Sequence, residues 1–140
     1  MKKNFAYGLI VYKIIDSEIF YLLLKSTSKN EWGFPKGHVD DLDNSKIDTA
    51  LRETFEETNL NNLEVDPSVC FDLSYKIKNN SELKFVGLFP AKYTSGEVLL
   101  SSEHVEYDWF SLEDALNVFQ FNDLKDILIN AHNYLILFND

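Results

Sequence analysis

The sequence predicts an α/β (α+β) fold in which a mixed β-sheet lies between helices. The chain has 140 residues, of which 45% are hydrophobic and 14% aromatic, enough for the core of one domain spanning 1–140. Strand-like and helix-like segments follow one another in the order β-β-loop-α-β-β-β-α-α, with no internal repeats or linkers. Elements in such an order pack as a sheet with helices on its faces.

The first half of the chain predicts a hairpin, a loop region and one long helix. Residues 5–13 and 18–25 are rich in β-branched, aromatic and leucine residues and flank a turn-forming pair, so they predict two paired strands. Residues 26–31 are polar and predict a loop, whereas 32–38 contain two glycines and a proline and predict an irregular segment. A Ser-x-x-Asp capping box predicts a helix over 46–58.

The second half predicts more strands. Residues 69–78 and 82–93 predict a second pair of strands, in which Pro90 marks a bulge or an end because proline cannot donate to the ladder. Residues 98–100 and 107–110 predict two short strands.

Two helices are predicted at the C-terminal end. Ser111 and Asp114 form a second capping box, which opens a helix that runs through residue 118. Asn122 caps a last helix, in which apolar residues recur at helical spacing: Leu124, Ile127, Leu128, Ala131, Leu135 and Phe138.

The formal charge of the chain is −10, from 13 basic and 23 acidic residues. Such a balance argues against a broad nucleic-acid surface, which would be basic. It also repels free polyphosphates, so a bound cation would have to mediate their binding.

The cysteine content and the hydropathy pattern bear on the compartment. The single cysteine, Cys70, lies in a stretch of alternating apolar residues and predicts a small buried side chain. The sequence contains neither a signal-peptide pattern nor an apolar run long enough to span a membrane. These observations predict a cytoplasmic protein with no membrane partner, and we expect a monomer.

Three carboxylates share one stripe of the helix predicted at 46–58. An α-helix advances about 100° per residue, so Glu56 lies at about −60° and Glu57 at about +40° from Glu53. Such clusters are ordinarily solvated faces, but a hard divalent cation would relieve their mutual repulsion. The opposite side of the wheel is expected to enter the core: Ile47, Leu51, Thr54, Phe55 and Thr58.

The run from residue 37 to residue 60 resembles the signature of the Nudix hydrolases. The matching positions are its first glycine, its Arg-Glu pair, its Glu pair and its last apolar residue: Gly37, Arg52-Glu53, Glu56-Glu57 and Leu60. The spacer before Arg52 is one residue longer than usual, and Asp43 or a neighbouring acid stands for the glutamate expected there. Thr54 stands at an aliphatic position, and Asn59 replaces a helix-ending glycine, a mild change because asparagine tolerates the left-handed conformation.

The rest of the chain resembles one branch of that family, the animal-type asymmetrical diadenosine tetraphosphate hydrolases. The resemblance lies in residues 102–109 (SEHVEYDW), in Gln120-Phe121, in Gly8-Leu9-Ile10-Val11, and in Trp32 with Pro35-Lys36-Gly37-His38. It implies a Nudix-type α/β/α sandwich with a mixed β-sheet between helices.

The resemblance also implies a metal site. Glu53, Glu56 and Glu57 would bind a divalent cation, with the main-chain carbonyl of Gly37 as a further donor. Glu103 would be another metal ligand or the general base. Oxygen ligands favour Mg²⁺, with Mn²⁺ as an alternative. Arg52 would orient a ligating carboxylate, although an ordinary helix ion pair is the simpler explanation of its position.

Cationic and aromatic side chains are candidates for binding the substrate. Lys36 and His38 flank the signature glycine and could hold phosphate oxygens, and Lys84 matches a lysine of the family. Tyr75 and Phe121 could stack on an adenine, although both could equally be core aromatics.

The expected activity is Mg²⁺-dependent hydrolysis of a small dinucleoside polyphosphate, diadenosine tetraphosphate, to ATP and AMP. Removal of pyrophosphate from the 5′ end of RNA, with capped or triphosphorylated RNA as substrate, is an alternative that the acidic charge disfavours. Hydrolysis of modified nucleoside triphosphates is another. A catalytically silent Nudix module that only binds nucleotides is the third.

Overall fold

The structure is a computed structural model and describes residues 1–138. The described residues form eight strands and three helices. In chain order these are β1 Lys2–Ile15, β2 Glu18–Ser26, β3 Trp32–Gly33, β4 Lys36–His38, α1 Lys46–Thr58, β5 Leu63–Val65, β6 Phe71–Ile77, β7 Glu82–Tyr93, β8 His104–Phe110, α2 Leu112–Val118 and α3 Asn122–Phe138.

The strands form one mixed sheet built around β1. This strand pairs antiparallel with β2 and with β4, and parallel with β7, beginning at Lys2↔Glu82 and ending at Tyr12↔Lys92. Further strands extend the sheet on both sides, since β3 and β8 pair with β2 whereas β5 and β6 pair with β7. The predicted mixed sheet and both predicted strand pairs are confirmed.

Helices cover both faces of this sheet, because each face is apolar. Alternate residues of β1 enter different clusters: Ile10 packs on one face with residues of α2 and α3, and Leu9 packs on the other face with residues of α1. Such two-sided burial produces the predicted α/β/α sandwich. No helix within residues 1–138 has the length and apolar character needed to cross a membrane.

Helix α1 has the predicted bounds and the predicted caps. The Ser45 side chain accepts a hydrogen bond from the backbone N–H of Asp48 at 3.0 Å, as in a capping box. Asn59 ends the helix in the left-handed conformation with φ 66°, so asparagine serves where the signature has glycine.

The buried face of α1 differs from the predicted one. Phe55 is 45% exposed, whereas Glu57 is only 5% exposed. The face that packs on the sheet is made by small side chains, including Ala50 and Thr54, which allow the helix to approach closely. The prediction that Phe55 enters the core is therefore wrong, and one of the three signature carboxylates lies inside the protein instead.

Several short strands were predicted wrongly, because pairing with distant strands determines whether such short segments form strands. The segment 32–38, expected to be irregular, contains β3 and β4, which form by pairing with β2 and β1. Strand β5 has no counterpart among the predicted strands. Residues 98–100 form no strand, and β8 begins at His104, three residues earlier than expected.

Two single-residue predictions also fail. Pro90 neither ends nor bulges β7, because it lies between the part of that strand paired with β6, through Leu88, and the part paired with β5, from Ala91. A missing N–H is tolerated in such a gap. Cys70 is exposed instead of buried, because it lies just before β6 and outside the ladder.

Candidate active site

Strand β4 brings the signature glycine against the first signature carboxylate. Gly37 pairs with Tyr7 in the sheet and faces α1. A Cβ atom at Gly37 would lie 2.0 Å from Cδ of Glu53, so only glycine permits this approach. Burial raises the pKa of Glu53, although the neighbouring Arg52 opposes the shift.

Glu57 is the most deeply buried carboxylate of the site. Its Oε1 accepts a hydrogen bond from the backbone N–H of Lys36 at 3.4 Å and lies 3.9 Å from Nε2 of His104. Burial, together with the charges of Glu53 and Glu103, raises the pKa of Glu57 to about 8. A carboxylate in this environment is costly to ionise unless a cation approaches it.

The other two predicted acids lie at the edge of the site. Glu103 is exposed in the segment before β8, and its charge acts on both Glu53 and Glu57. Glu56 is also exposed and forms an ion pair with Nη1 of Arg52 at 3.2 Å. The structure thus brings Glu53, Glu57 and Glu103 into one electrostatic environment and leaves Glu56 on the outer side.

Arg52 connects α1 to the loop before it. Its Nε and Nη2 donate to the two carboxylate oxygens of Asp43 at 3.0 and 2.9 Å, and its Nη1 donates to Oε2 of Glu53 at 3.0 Å. Nη2 also donates to the carbonyl of His38 at 2.9 Å. These hydrogen bonds with Arg52 hold the pKa of Asp43 well below its usual range.

Of the acids between Gly37 and Arg52, Asp43 is the one that contacts Arg52. Asp43, and not a neighbour, accepts the arginine fork, and the hydroxyl of Thr49 donates to its Oδ2 at 2.8 Å. In the turn before α1, the backbone N–H of Asp40 donates to Oδ2 of Asp43, and the backbone N–H of Asp43 donates to the carbonyl of Asp40. Arg52 therefore holds Glu53 in place through a network larger than an ordinary helix ion pair.

A cleft of about 440 Å³ lies beside the carboxylates. Lys36, Tyr75 and Phe121 line it together with Trp32, His104 and Lys29. Tyr75 and Phe121 are 38% and 52% exposed, so they are not core aromatics and their ring faces are available to a ligand. A flat aromatic face offers a stacking surface for a nucleobase.

Of the three cationic residues predicted to bind phosphate, only Lys36 lines this cleft, and His38 lines a second cavity instead. Burial, together with the charges of Lys36 and Lys29, lowers the pKa of Lys84 to about 8. Burial and the charges of Lys84 and Lys36 likewise lower the pKa of His38. The three cationic residues predicted to bind phosphate are therefore close enough to influence one another.

The donor set fits a hard divalent cation. Glu57 is almost fully buried and Glu53 half-buried, and their carboxylates repel each other, so a cation with oxygen preference would stabilise both. Within residues 1–138, no three His, Cys, Asp or Glu side chains already converge in the way that a bound ion would hold them. Metal binding by Glu53, Glu56, Glu57, Gly37 and Glu103 stays a prediction.

The sandwich and the helix that presents these carboxylates against a glycine strand define the class of protein. The chain belongs to the Nudix family: residues 5–130 match the family described as NUDIX domain. Curated relatives named bis(5′-nucleosyl)-tetraphosphatase [asymmetrical] include one from Mus musculus, 34% identical over 93% of this chain and 94% of its own length. The one from Caenorhabditis elegans is 32% identical over 88% of this chain and 90% of its length.

Solved structures agree with the sequence comparison. A C. elegans Ap4A hydrolase binary complex covers 95% of this chain and 98% of its own, with a TM-score of 0.87 and 31% identity. The NUDIX domain of Shewanella oneidensis NrtR, complexed with ADP ribose, has a TM-score of 0.78 at 18% identity, covers 96% of this chain and 90% of its own, and supports the fold alone. The family and these relatives confirm the predicted hydrolase acting on phosphoanhydride bonds.

The sequence analysis assigned no function to His104 and Lys29, which line the cleft. His104 contacts the deepest carboxylate, and its Nδ1 is buried without a hydrogen-bond partner among the described residues. Its position directly after Glu103 was the available signal. Lys29 lines the cleft from the loop between β2 and β3. A single lysine in a polar loop gives no such signal, because only the fold brings that loop to the cleft.

Proposed function

We propose that this protein hydrolyses diadenosine tetraphosphate to ATP and AMP in a Mg²⁺-dependent reaction. The coarser activity, hydrolysis of nucleotide polyphosphates, follows from the family and its relatives. The observation that carries the finer proposal is the arrangement of the site, in which buried carboxylates adjoin a cleft with cationic and aromatic walls. The relatives that match nearly the whole chain are named for hydrolysis of this kind of substrate.

The carboxylates would hold the cation. Glu53 and Glu57 face the site from successive turns of α1, Glu103 approaches from the segment before β8, and the carbonyl of Gly37 is the proposed main-chain donor. Glu56, exposed and paired with Arg52, would join them at the outer side. When bound, Mg²⁺ would neutralise phosphate charge and lower the pKa of a water molecule, and Mn²⁺ could replace it.

The substrate would lie along the cleft. Lys36, His38 and Lys84 would bind phosphate oxygens and stabilise the charge that develops on the reacting phosphoryl group. Tyr75 and Phe121 would stack on one adenine. Arg52, bound to Asp43 and Glu53, would keep the carboxylate of Glu53 oriented.

A general base must accept the proton of the attacking water. Glu53 and Glu103 are the two candidates, because both belong to the same electrostatic environment. Glu103 is more exposed and would pass the proton to solvent more readily. Replacing each with glutamine and comparing the two pH–rate profiles would distinguish them.

Product analysis tests the proposal. Diadenosine tetraphosphate should give ATP and AMP, whereas symmetrical cleavage would give ADP alone, and mass spectrometry separates the two outcomes. Glu57→Gln keeps the size of the side chain and removes its charge, so turnover should fall by about a hundred-fold or more, while Tm should not fall below that of the wild type. Glu18→Gln, at the exposed start of β2, is the matched control.

A substrate panel separates the alternatives. Triphosphorylated RNA and 8-oxo-dGTP would be turned over faster than diadenosine tetraphosphate if the RNA or the modified-nucleotide hypothesis were correct. Binding of nucleotide and Mg²⁺ without any turnover would identify a silent module. A monomeric, cytoplasmic, single-domain protein stays a prediction, and size-exclusion chromatography would check the first of these properties.

A further inference from the structure

Two lysines line the cleft of this strongly acidic protein, together with two acidic residues, Glu31 and Asp123. The chain carries a formal charge of −10, yet Lys29 and Lys36 line the same cleft and Lys84 lies within range of both. Among residues 1–138, none of these three lysines forms an ion pair with a carboxylate. The charges of Glu57 and Glu53 favour the charged form of Lys36. Lys29, by contrast, forms no ion pair with any described carboxylate, so an anion at the rim would be stabilised by Lys29.

The loop that carries Lys29 is held in place. The backbone N–H of Ser26 donates to the carbonyl of Glu31 at 2.8 Å, and that of Asn30 donates back to the carbonyl of Ser26 at 3.0 Å. The backbone N–H of Thr27 donates to the carbonyl of Glu103 at 2.9 Å. This last hydrogen bond ties the loop to the segment that carries a proposed catalytic carboxylate, so Lys29 has a defined place relative to the reacting centre.

The lysines differ in depth. Lys36 is half-buried beside the backbone contact to Glu57, whereas Lys29 is exposed at the rim. A phosphate bound at the carboxylates therefore meets Lys36 first, and a chain that continues outward reaches Lys29.

We propose that Lys29 binds the distal phosphates of the substrate and makes the enzyme bind long polyphosphate chains more tightly than short ones. The proposal rests on the proposed function, because it concerns the substrate of that site. Lys29 is a specificity-determining residue that holds the part of the chain away from the bond that is cut. Its removal weakens binding of long chains more than binding of short ones.

Isothermal titration tests this without turnover. Methylene-bridged tripolyphosphate and methylene diphosphonate are a long and a short chain that a phosphoanhydride hydrolase cannot cut. Each is titrated in Mg²⁺-containing buffer into the wild type, Lys29→Ala, Lys29→Arg and Lys76→Ala. Lys76 is the matched control, because it is exposed and follows Tyr75 on the opposite side of β6.

Lys29→Ala should weaken binding of the long chain about ten-fold, the size of one charge-assisted hydrogen bond, and binding of the short chain by less than about two-fold. Lys29→Arg should restore the affinity, and Lys76→Ala should match the wild type. The dependence of long-chain affinity on salt should also become shallower in Lys29→Ala. In turnover of diadenosine tetraphosphate, the same variant should raise KM and keep kcat.

Three results would overturn the proposal: an equal loss for long and short chains, a loss shared by Lys76→Ala, or no binding of tripolyphosphate to the wild type. A failure of the proposed function looks different. In that case the wild type would not cleave diadenosine tetraphosphate, while the titrations would still report whether Lys29 selects chain length.

Discussion

Replacing Gly37 with alanine separates the chemistry of the site from the stability of the fold. Gly37 lies in β4 opposite Tyr7, and its missing side chain leaves room for the carboxylate of Glu53. The added methyl group would meet three atoms of that side chain, Cδ, Oε1 and Oε2, at 2.0, 2.1 and 2.5 Å. Gly37→Ala therefore acts directly on the side chain of Glu53, one proposed ligand, next to the Gly37 carbonyl that is itself a proposed donor.

The size of the displacement follows from the contact distances. Non-bonded carbon atoms are in favourable contact at about 3.5 Å, and the new Cβ would start 2.0 Å from Cδ of Glu53, so the carboxylate must retreat by about 1.5 Å. A misplacement of about 1 Å at a catalytic group can cost about a hundred-fold in rate. We expect kcat to fall at least that far, which corresponds to about 3 kcal/mol of transition-state stabilisation.

Stability should change much less than rate. The atoms that must move belong to the end of a flexible, half-buried side chain, so the cost to folding should stay below about 1 kcal/mol. Gly33→Ala is the control for the effect of an alanine substitution on stability, because a Cβ at Gly33 meets nothing within 4 Å. Its turnover is not a control, because Gly33 lines the cleft. Steady-state turnover of Gly37→Ala and the wild type, and urea unfolding of both variants, provide the two measurements.

One result would refute this reasoning. If Gly37→Ala kept the wild-type kcat, the position of the Glu53 carboxylate would be irrelevant to the reaction. The assignment of Glu53 as a metal ligand or base would then be wrong.

Two further predictions concern stability. Gly8→Ala should cost about 3 kcal/mol of unfolding free energy, because its Cβ would lie 2.0 Å from the carbonyl oxygen of Pro35, a backbone atom that cannot move aside; unchanged urea unfolding would contradict this. In the metal-free protein, burial raises the pKa of Glu57 from 4.5 to about 8, so the folded state holds this proton more tightly than the unfolded state. That contribution is complete below about pH 4.5 and is lost as the pH rises through about 8. The wild-type Tm should therefore fall relative to that of Glu57→Gln between about pH 5 and pH 8, and parallel Tm curves would contradict the burial of this charge.

Local sequence determined the elements whose signals lie within a few residues. The bounds of α1 and its caps follow from Ser45, Asp48 and Asn59, because a cap is satisfied by groups three or four residues away. The first hairpin follows in the same way from alternating apolar residues and a short turn. The glutamates of α1 and the preceding glycine identified the family because their spacing along the chain is itself the signal.

Tertiary structure determined the short strands, the buried face of α1 and the position of Lys29, because each depends on residues distant in the chain. The strands β3, β4 and β5 form only because longer strands pair with them, so their own sequences gave no sufficient signal. The docking of α1 on the sheet determined that Glu57 is buried and Phe55 exposed, since both lie near the border of the helix wheel. Lys29 reaches the cleft only through the loop bonded to Glu103, a contact between residues far apart in sequence. The sequence alone thus specified the chemical groups and their spacing, whereas long-range packing set which of those groups share a low-dielectric, charged environment.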